Sequence, residues 1–420
     1  MKRLIAPLFV FLLLATSHAE VTITTREGAH VLLRDGQPYE VKGVGGQQHL
    51  ALAAEAGANS TRTWGSEKAI EVLDEAASLG MTATIGFWLD HDAARYRDEA
   101  YKTRIRQELT DLVAKIRNHP ALLLYGLGNE INLGADTPEA WTFVNELAGI
   151  VKREDPAHPV MTVLAGASTE TIRRVAQHAP SVDVIGFNSY RGLDGLADAV
   201  AKSGYTGPYL VTEWGPHGHW EVAKTSWDAP LEQTSAEKAA TYAASHDLIA
   251  AQRDRCLGSY VFFWGQKQER TPTWYGIFVE DRPELGLKGE STAVLDVMTK
   301  AWSGKEPGTR APRVIGLEVE GSEGKELVVG TADFFSARLL VDDPDGDTLV
   351  IVWEIMAEAT RLGSGGSFES RPASFPEAIQ KSGDEAVTIA MSRPGHYRLF
   401  SYALDGKGKV GTTNLPFRVR

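Results

Sequence analysis

The stretch LLLYGLGNE, residues 122–130, decides the fold. Its leading residues are apolar without the polar alternation of a half-exposed strand, so it reads as a strand covered on both faces. It ends in Gly128, Asn129 and Glu130, which places an amide and a carboxyl group at the strand's carboxyl end. Seven more runs of this kind lie around it, at 40–44, 58–64, 81–89, 159–165, 182–187, 208–212 and 259–264. The segments between them carry helix signals. Ile105, Leu109, Leu112, Val113 and Ile116 keep helical spacing. Thr137-Pro138 reads as an N-cap followed by proline at the first helical position, and Thr234 to Glu237 as a capping box. Ser291 opens a last amphipathic stretch through Val294, Leu295, Met298 and Trp302. Eight strand–helix units over about 260 residues predict a (β/α)8 barrel. The alternative is a doubly wound sheet, because residues 45–57 leave little room for the first crossover helix.

On either side of the barrel the pattern changes. Residues 1–19 combine Lys2-Arg3, a short apolar stretch and Ser17-His18-Ala19, which reads as a secretory signal followed by a cleavage site. The expected destination is the periplasm or exterior of a bacterium. Residues 21–42 read as short strands with a turn at Asp35-Gly36. The barrel unit is assigned to 20–303 and a Gly/Pro linker to 304–312. Beyond it, seven short strands are expected, at 314–319, 326–329, 337–341, 348–353, 386–390, 396–403 and 415–419. They predict a smaller immunoglobulin-like β-sandwich over 313–420, with a Gly/Ser-rich loop at 364–367.

Composition narrows the function. The chain has 420 residues, 55 acidic against 43 basic, and a formal charge of −12. That balance argues against nucleic acid and anionic membrane as partners, since both select clustered Lys and Arg. The single cysteine, Cys256, excludes an internal disulfide, a cysteine zinc site and an iron–sulfur cluster. No nucleophile elbow, P-loop, His-Glu-x-x-His or EF-hand motif is present, so no metal or other cofactor is expected. His217 and His219 lack a third ligand. The turn Asp342 to Asp347 could hold calcium, but reads first as an Asp/Gly turn with local hydrogen bonds. Oligomeric state is left open.

In a barrel, functional groups collect at the carboxyl ends of the strands. The apolar runs lead in turn to Arg62 and Trp64, then Trp88 with Asp90, His91 and Asp92, then Asn129 and Glu130, then Asn188 and Tyr190, then Glu213 and Trp214, and last Trp264. Glu130 and Glu213 thus stand at strand ends four and seven, across the barrel mouth. Glycoside hydrolysis needs two carboxyl groups on opposite sides of the sugar, about 5–5.5 Å apart for retention and about 6.5–9.5 Å for inversion. Trp88, Trp214, Trp220, Trp227, Trp264, Trp274 and Tyr275 lie at or after strand ends and could stack on pyranose rings.

The segments GLGNEIN (126–132) and YLVTEWGP (209–216) resemble the acid/base and nucleophile segments of clan A glycoside hydrolases, above all the family 2 TIM barrel. VLLRDGQPYEVKGVG (31–45), GANSTRTW (57–64) and VDVIGFNSY (182–190) resemble the same group. The resemblance covers about residues 21–303. It implies a retaining glycosidase acting on a β-linked, glucan-like glycan, with Glu130 as acid/base and Glu213 as nucleophile. It further implies that Asn129 binds the sugar 2-hydroxyl, that Arg62 and Tyr190 attend Glu213, and that Trp264 floors the reacting-sugar subsite. Only about twenty residues precede the first barrel strand, which leaves no room for the amino-terminal sandwich domains of family 2 enzymes and favours an open cleft. A transglycosylase, with Trp220 and Trp227 at an acceptor site, and a non-catalytic glycan-binding envelope protein are the rival readings.

Overall fold

The computed structural model describes residues 19–319, 326–363, 367–383 and 385–420. The expected signal at 1–19 falls almost wholly outside the described residues, as do 364–366 of the Gly/Ser-rich loop. The chain begins with a small antiparallel sheet: β1 (Val21–Arg26), β2 (Ala29–Arg34) and β3 (Gln37–Pro38). Its turns place Glu27, Gly28, Asp35 and Gly36 at positive φ, the conformation that two-residue hairpins select.

Eight parallel strands then close a barrel in sequential order. They are β4 (Val41–Gly45), β5 (Ser60–Arg62), β6 (Thr82–Phe87), β7 (Leu122–Asn129), β8 (Val160–Ala165), β9 (Val184–Asn188), β10 (Tyr209–Trp214) and β11 (Cys256–Val261). The eight apolar runs each overlap one of these strands, the last only in part because β11 starts at Cys256 and ends at Val261, three residues ahead of the run. The doubly wound alternative is ruled out by closure. The crossover that seemed too short is made by a seven-residue helix, α1 (Leu50–Ala56), ending on Gly57 at φ 98°. The other helices are α2 (Ala69–Ser78), α3 (Glu99–Ile116), α4 (Asn132–Ala135), α5 (Pro138–Glu154), α6 (Thr169–His178), α7 (Leu196–Ser203), α8 (Ser235–Ala250) and α9 (Ala293–Ser303). Thr137 caps α5, and the Thr234/Glu237 capping box opens α8, as their sequences foretold. The last helix starts two residues later than expected, behind Thr292.

The interior is a packed core. Tyr260 points inward and bonds Ser60 and Thr84 at 3.1 and 2.7 Å. Its ring fits because Gly43 faces it, where a Cβ would lie 2.2 Å from the ring. The β1–β2 hairpin closes the amino-terminal end. Val21 N–H donates to Ala157 O, His30 N–H to Asp254 O and Arg34 to Pro120 O, all three acceptors lying in loops that precede barrel strands. Cys256 opens β11, buried, its thiol pushed up to about 12 by burial. No helix of the described residues is long and apolar enough to cross a membrane.

A small hairpin, β12 (Asp281–Arg282) with β13 (Leu287–Lys288), precedes α9. The remaining strands are β14 (Arg313–Val319), β15 (Leu327–Val329), β16 (Phe334–Asp342), β17 (Val350–Ala357), β18 (Ile379–Ser382), β19 (Ala386–Ala390), β20 (Gly395–Leu404) and β21 (Val410–Val419). They form two sheets, ordered β14-β16-β19-β18 and β15-β21-β20-β17, the A-B-E-D and A′-G-F-C arrangement of immunoglobulin-type sandwiches. Phe335 of one sheet meets Phe417 of the other at 5.2 Å between ring centroids. The eighth strand, β18, was not expected. Its IQKS sequence is largely exposed at a sheet edge and carries no apolar alternation to reveal it.

Candidate active site

The carboxyl ends of the barrel strands surround a cleft of about 1230 Å3. Glu213 lies within β10 and is buried. Arg62, at the end of β5, ion-pairs with it at 3.1 Å and also donates to Thr212 O at 3.0 Å. Trp64 Nε1 donates to the same Glu213 Oε1 at 2.6 Å, and the Tyr190 hydroxyl donates to Oε2 at 3.1 Å. Burial, then the Glu213 charge, holds the Tyr190 hydroxyl well above the ordinary tyrosine value, so it acts as a donor. Both carboxylate oxygens are therefore held, by three donors from two strand ends.

Glu130 comes directly after β7, at φ +56°. Left-handed backbone is unfavourable for a glutamate, by about 1–2 kcal/mol. It is held there by the Glu130 N–H bond to Val163 O, 2.9 Å away on β8. Asn132 grips β8 as well, through paired bonds with the Ala165 main chain at 3.0 and 2.9 Å. The Glu130 carboxyl accepts from Asn188 Nδ2 at 2.9 Å. Its pKa is raised from 4.5 to about 7, first by burial and next by the Glu213 charge, with Asn188 and Arg62 opposing. Asn129 Oδ1 accepts from Arg62 at 2.7 Å and from Asn188 at 3.2 Å, which links the two glutamates through one network. Thr212 Oγ1 in turn donates to Asn188 Oδ1 at 2.8 Å.

Arg62, Trp64, Asn129, Glu130, Asn188, Tyr190 and Glu213 are thus brought together, and Trp88 lines the cleft beside them, 45% exposed and stacked on His91 at 5.3 Å. His91 Nε2 lies 2.8 Å from Asn129 O. Asp92 caps the next turn, accepting from Ala94 N–H at 2.9 Å, which is the local role a solvated loop would give it.

Two expectations fail. Trp214 is fully buried on the helix side of β10, packed on Tyr242 at 5.4 Å. Successive strand residues face opposite ways, so Glu213 inward sends Trp214 outward. Trp264 is also fully buried, between Phe278 and Trp302, with its Nε1 donating to His49 O. The strand ends at Val261, and Phe262 and Phe263, joined by a cis peptide, line the cleft where Trp264 was expected. Of the other aromatic candidates, Trp220 and Tyr275 line the cleft. Trp274 is buried, and Trp227 stacks on His396 of the sandwich at 5.8 Å.

Lys267, Glu269 and Arg270 line the cleft and were missed. They lie on the loop after β11, with no periodicity to mark them. His219 lines it too, its pKa pushed down to about 4 by burial and then by Arg270. His217 instead offers its carbonyl to Trp274 Nε1. Among the described residues no group of three or more His, Cys, Asp or Glu could hold a metal ion. In the acidic turn, Asp342, Asp345 and Asp347 pair with Arg313, Arg310 and Lys407, while Asp343 accepts from the Asp345 and Asp347 N–H groups.

A buried carboxyl group able to hold a proton, opposite a carboxylate anchored by arginine, can pair proton donation with attack at one carbon. That arrangement on a (β/α)8 barrel defines a glycoside hydrolase-type frame. Residues 58–216 match the family model described as "Glycosyl hydrolases family 2, TIM barrel domain". The barrel therefore resembles that family's, as the sequence segments implied. The chain is similar to Beta-galactosidase BoGH2A of Bacteroides ovatus, 26% identical over 204 residues, which is 40% of this chain and 23% of that protein. Among solved structures it resembles a β-galacturonidase of Eisenbergiella tayi bound to galacturonate, with TM-score 0.54 and 17% identity over 68% of this chain and 54% of that one. It also resembles Bacteroides uniformis β-glucuronidase 2, with TM-score 0.52 and 15% identity over 95% of this chain and 48% of that one. The chain thus spans about a quarter of the curated relative and about half of these solved chains.

Proposed function

We propose that this protein is an exported retaining glycoside hydrolase acting on a β-linked, neutral, glucan-like oligo- or polysaccharide. The observation that carries the reading is the contrast between its paired glutamates. Glu213, ion-paired with Arg62, attacks the anomeric carbon, and Glu130, with its pKa near 7, protonates the departing oxygen. Forming the glycosyl ester removes the Glu213 charge that helps hold the Glu130 proton, so Glu130 becomes a stronger acid. It is then ready to take a proton from the water that hydrolyses the ester.

Two features support the substrate class. The cleft, about 1230 Å3, exceeds the ~300–1,000 Å3 of ordinary small-molecule pockets and accommodates more than one sugar ring. With Glu130 protonated as the acid, the remaining carboxyl groups Glu213, Glu221 and Glu269 match the cations Arg62, Lys267 and Arg270 in number, so the cleft carries no excess positive charge to select a uronate. In this respect the reading departs from the uronidase names of the solved neighbours. The test is digestion of a panel of neutral β-glycans and matched β-uronides by wild type and Glu213→Gln, with mass spectrometry of protein exposed to activated 2-fluoro glycosides. Cleavage of neutral glycans, lost in the variant, with the label on Glu213, is the expected result. Preference for uronides, or full activity in the variant, overturns it. Products longer than the substrate would instead identify a transglycosylase.

A further inference from the structure

The loop between β11 and α9 carries Lys267, Glu269 and Arg270 into the cleft, and the sandwich holds that loop in place. Lys267 Nζ bonds Glu269 Oε2 at 2.6 Å and sits 5.3 Å from the centroid of the Phe262 ring. An ammonium group has three donors and a carboxylate two acceptor oxygens. One donor and one oxygen are used in this pair, so the others remain for a ligand. Glu269 Oε1 is 3.9 Å from His219 Nε2, beyond hydrogen-bonding distance. Beside the pair stands Trp220, 57% exposed, its indole braced edge-on by His219 at 4.8 Å and Tyr190 at 5.6 Å. Tyr190 bonds Glu213, so this surface adjoins the reacting centre. A donor and an acceptor side by side match adjacent sugar hydroxyls, and an aromatic face matches the CH face of the ring.

The loop is bonded to the sandwich as well as to the barrel. Arg270 lies at φ +60°, and its N–H donates to Glu369 of the sandwich at 2.7 Å. Glu369 is 2% exposed, and its other oxygen accepts from Gly363 N–H at 2.9 Å. Further along, Thr271 and Thr273 donate to buried Glu232 at 2.6 and 2.8 Å. Glu232 also accepts from Asn414 of the sandwich at 2.6 Å and from Lys238 of α8 at 2.5 Å. Gly363 and Ser367 of the sandwich line the cleft themselves.

We propose that Lys267, Glu269 and Trp220 form a second sugar subsite next to the reacting one, and that Glu369 of the sandwich is the residue that positions it. The sandwich is then part of the substrate site, and deleting it removes specificity for longer chains. This rests on the glycosidase reading and deepens it.

The experiment compares kcat/KM on two substrates. One is an activated aryl β-glycoside of a single sugar, which fills only the reacting subsite. The other is a β-linked tetrasaccharide of the series that the wild type cleaves. Lys267→Met and Trp220→Ala are expected to lose about tenfold or more on the tetrasaccharide, chiefly through KM, and less than about threefold on the aryl glycoside. Glu369→Ala, measured in the full chain, is expected to show the same split. Glu369→Gln, which keeps an acceptor for the Arg270 N–H, is expected to recover part of the loss. Equal losses on both substrates, or none on either, overturn the subsite. Losses in the barrel variants without any in Glu369→Ala overturn the role of the sandwich. Should Glu369→Ala fail to fold, partial loss on the tetrasaccharide alone in Glu369→Gln supports that role, and wild-type values there overturn it. A wild type inactive on every glycan overturns the glycosidase reading and this inference together, whereas an active wild type with unchanged variants overturns this inference alone.

Discussion

Glu130 and Glu213 are the same residue at comparable places in the barrel, yet their surroundings are opposed. Glu213 is inside its strand, with an arginine, an indole N–H and a phenol directed at its two oxygens. Glu130 has left its strand through left-handed backbone and has an amide donor on its carboxyl. The difference lies in the donors that the strand ends aim at two buried carboxyl groups, and the proposed division into acid and nucleophile rests on it. Burial alone raises a carboxyl pKa, and each donor or opposite charge brings it down. Here the strand ends supply several to one side and few to the other.

Five measurements test that contrast, from the largest expected effect to the smallest. Glu213→Gln is expected to lower turnover by about 10^3-fold or more on every substrate, since it removes the attacking oxygen. Circular dichroism should show an unchanged fold, and residual activity near wild type would sink the nucleophile assignment. Glu130→Gln is expected to lose about 10^2–10^4-fold on substrates whose leaving group is a sugar. It should lose far less in the first step with an activated aryl leaving group that departs unprotonated. Equal losses on both would argue against an acid role.

Trp64→Phe removes one bond to Glu213 while keeping a ring, and about tenfold in kcat/KM is expected from a hydrogen bond to a charged group. Titrating kcat/KM sharpens the comparison further. Glu130 must carry its proton to assist departure, so activity is expected to fall as pH rises through about 7. In Glu130→Gln, measured on an activated substrate, that limb should disappear.

Stability gives the smallest effect. The folded-state pKa of Glu130 is raised above its ordinary value, so the folded protein binds the proton more tightly than the unfolded chain does. Its contribution is complete below about 4.5 and is lost as pH rises through about 7. Glu130→Gln should therefore be about 1–3 kcal/mol more stable than wild type at pH 8, and gain less at pH 5. A gain independent of pH would point to relief of some other strain.

The sequence shows some parts of this site and hides others for physical reasons. The barrel was readable because strands buried on both faces leave unbroken apolar runs, and the polar residues that end those runs stand out. Asn129, Glu130, Asn188, Tyr190 and Glu213 were found in that way. Trp214 could have been excluded from the alternation of strand residues alone. Asn129 and Glu130 are neighbours that both reach the cleft, which only the left-handed φ of Glu130 permits, and no pattern of hydrophobicity carries that. Trp264 failed because the apolar run continues past the true strand end at Val261. Phe262 and Phe263 therefore take the rim, and Trp264 turns into the helix layer. Lys267, Glu269 and Arg270 were out of reach, because their placement depends on Glu369, 99 residues further along the chain.

Glu232 carries a consequence for how the protein unfolds. It is a buried carboxylate whose partners come from α8, the loop after β11 and the last strand of the sandwich. Pulling the sandwich away would strip Asn414 from it, a hydrogen bond to a charged group worth about 1.5–3 kcal/mol. The two folded units are therefore expected to unfold together, which calorimetry would record as a single peak.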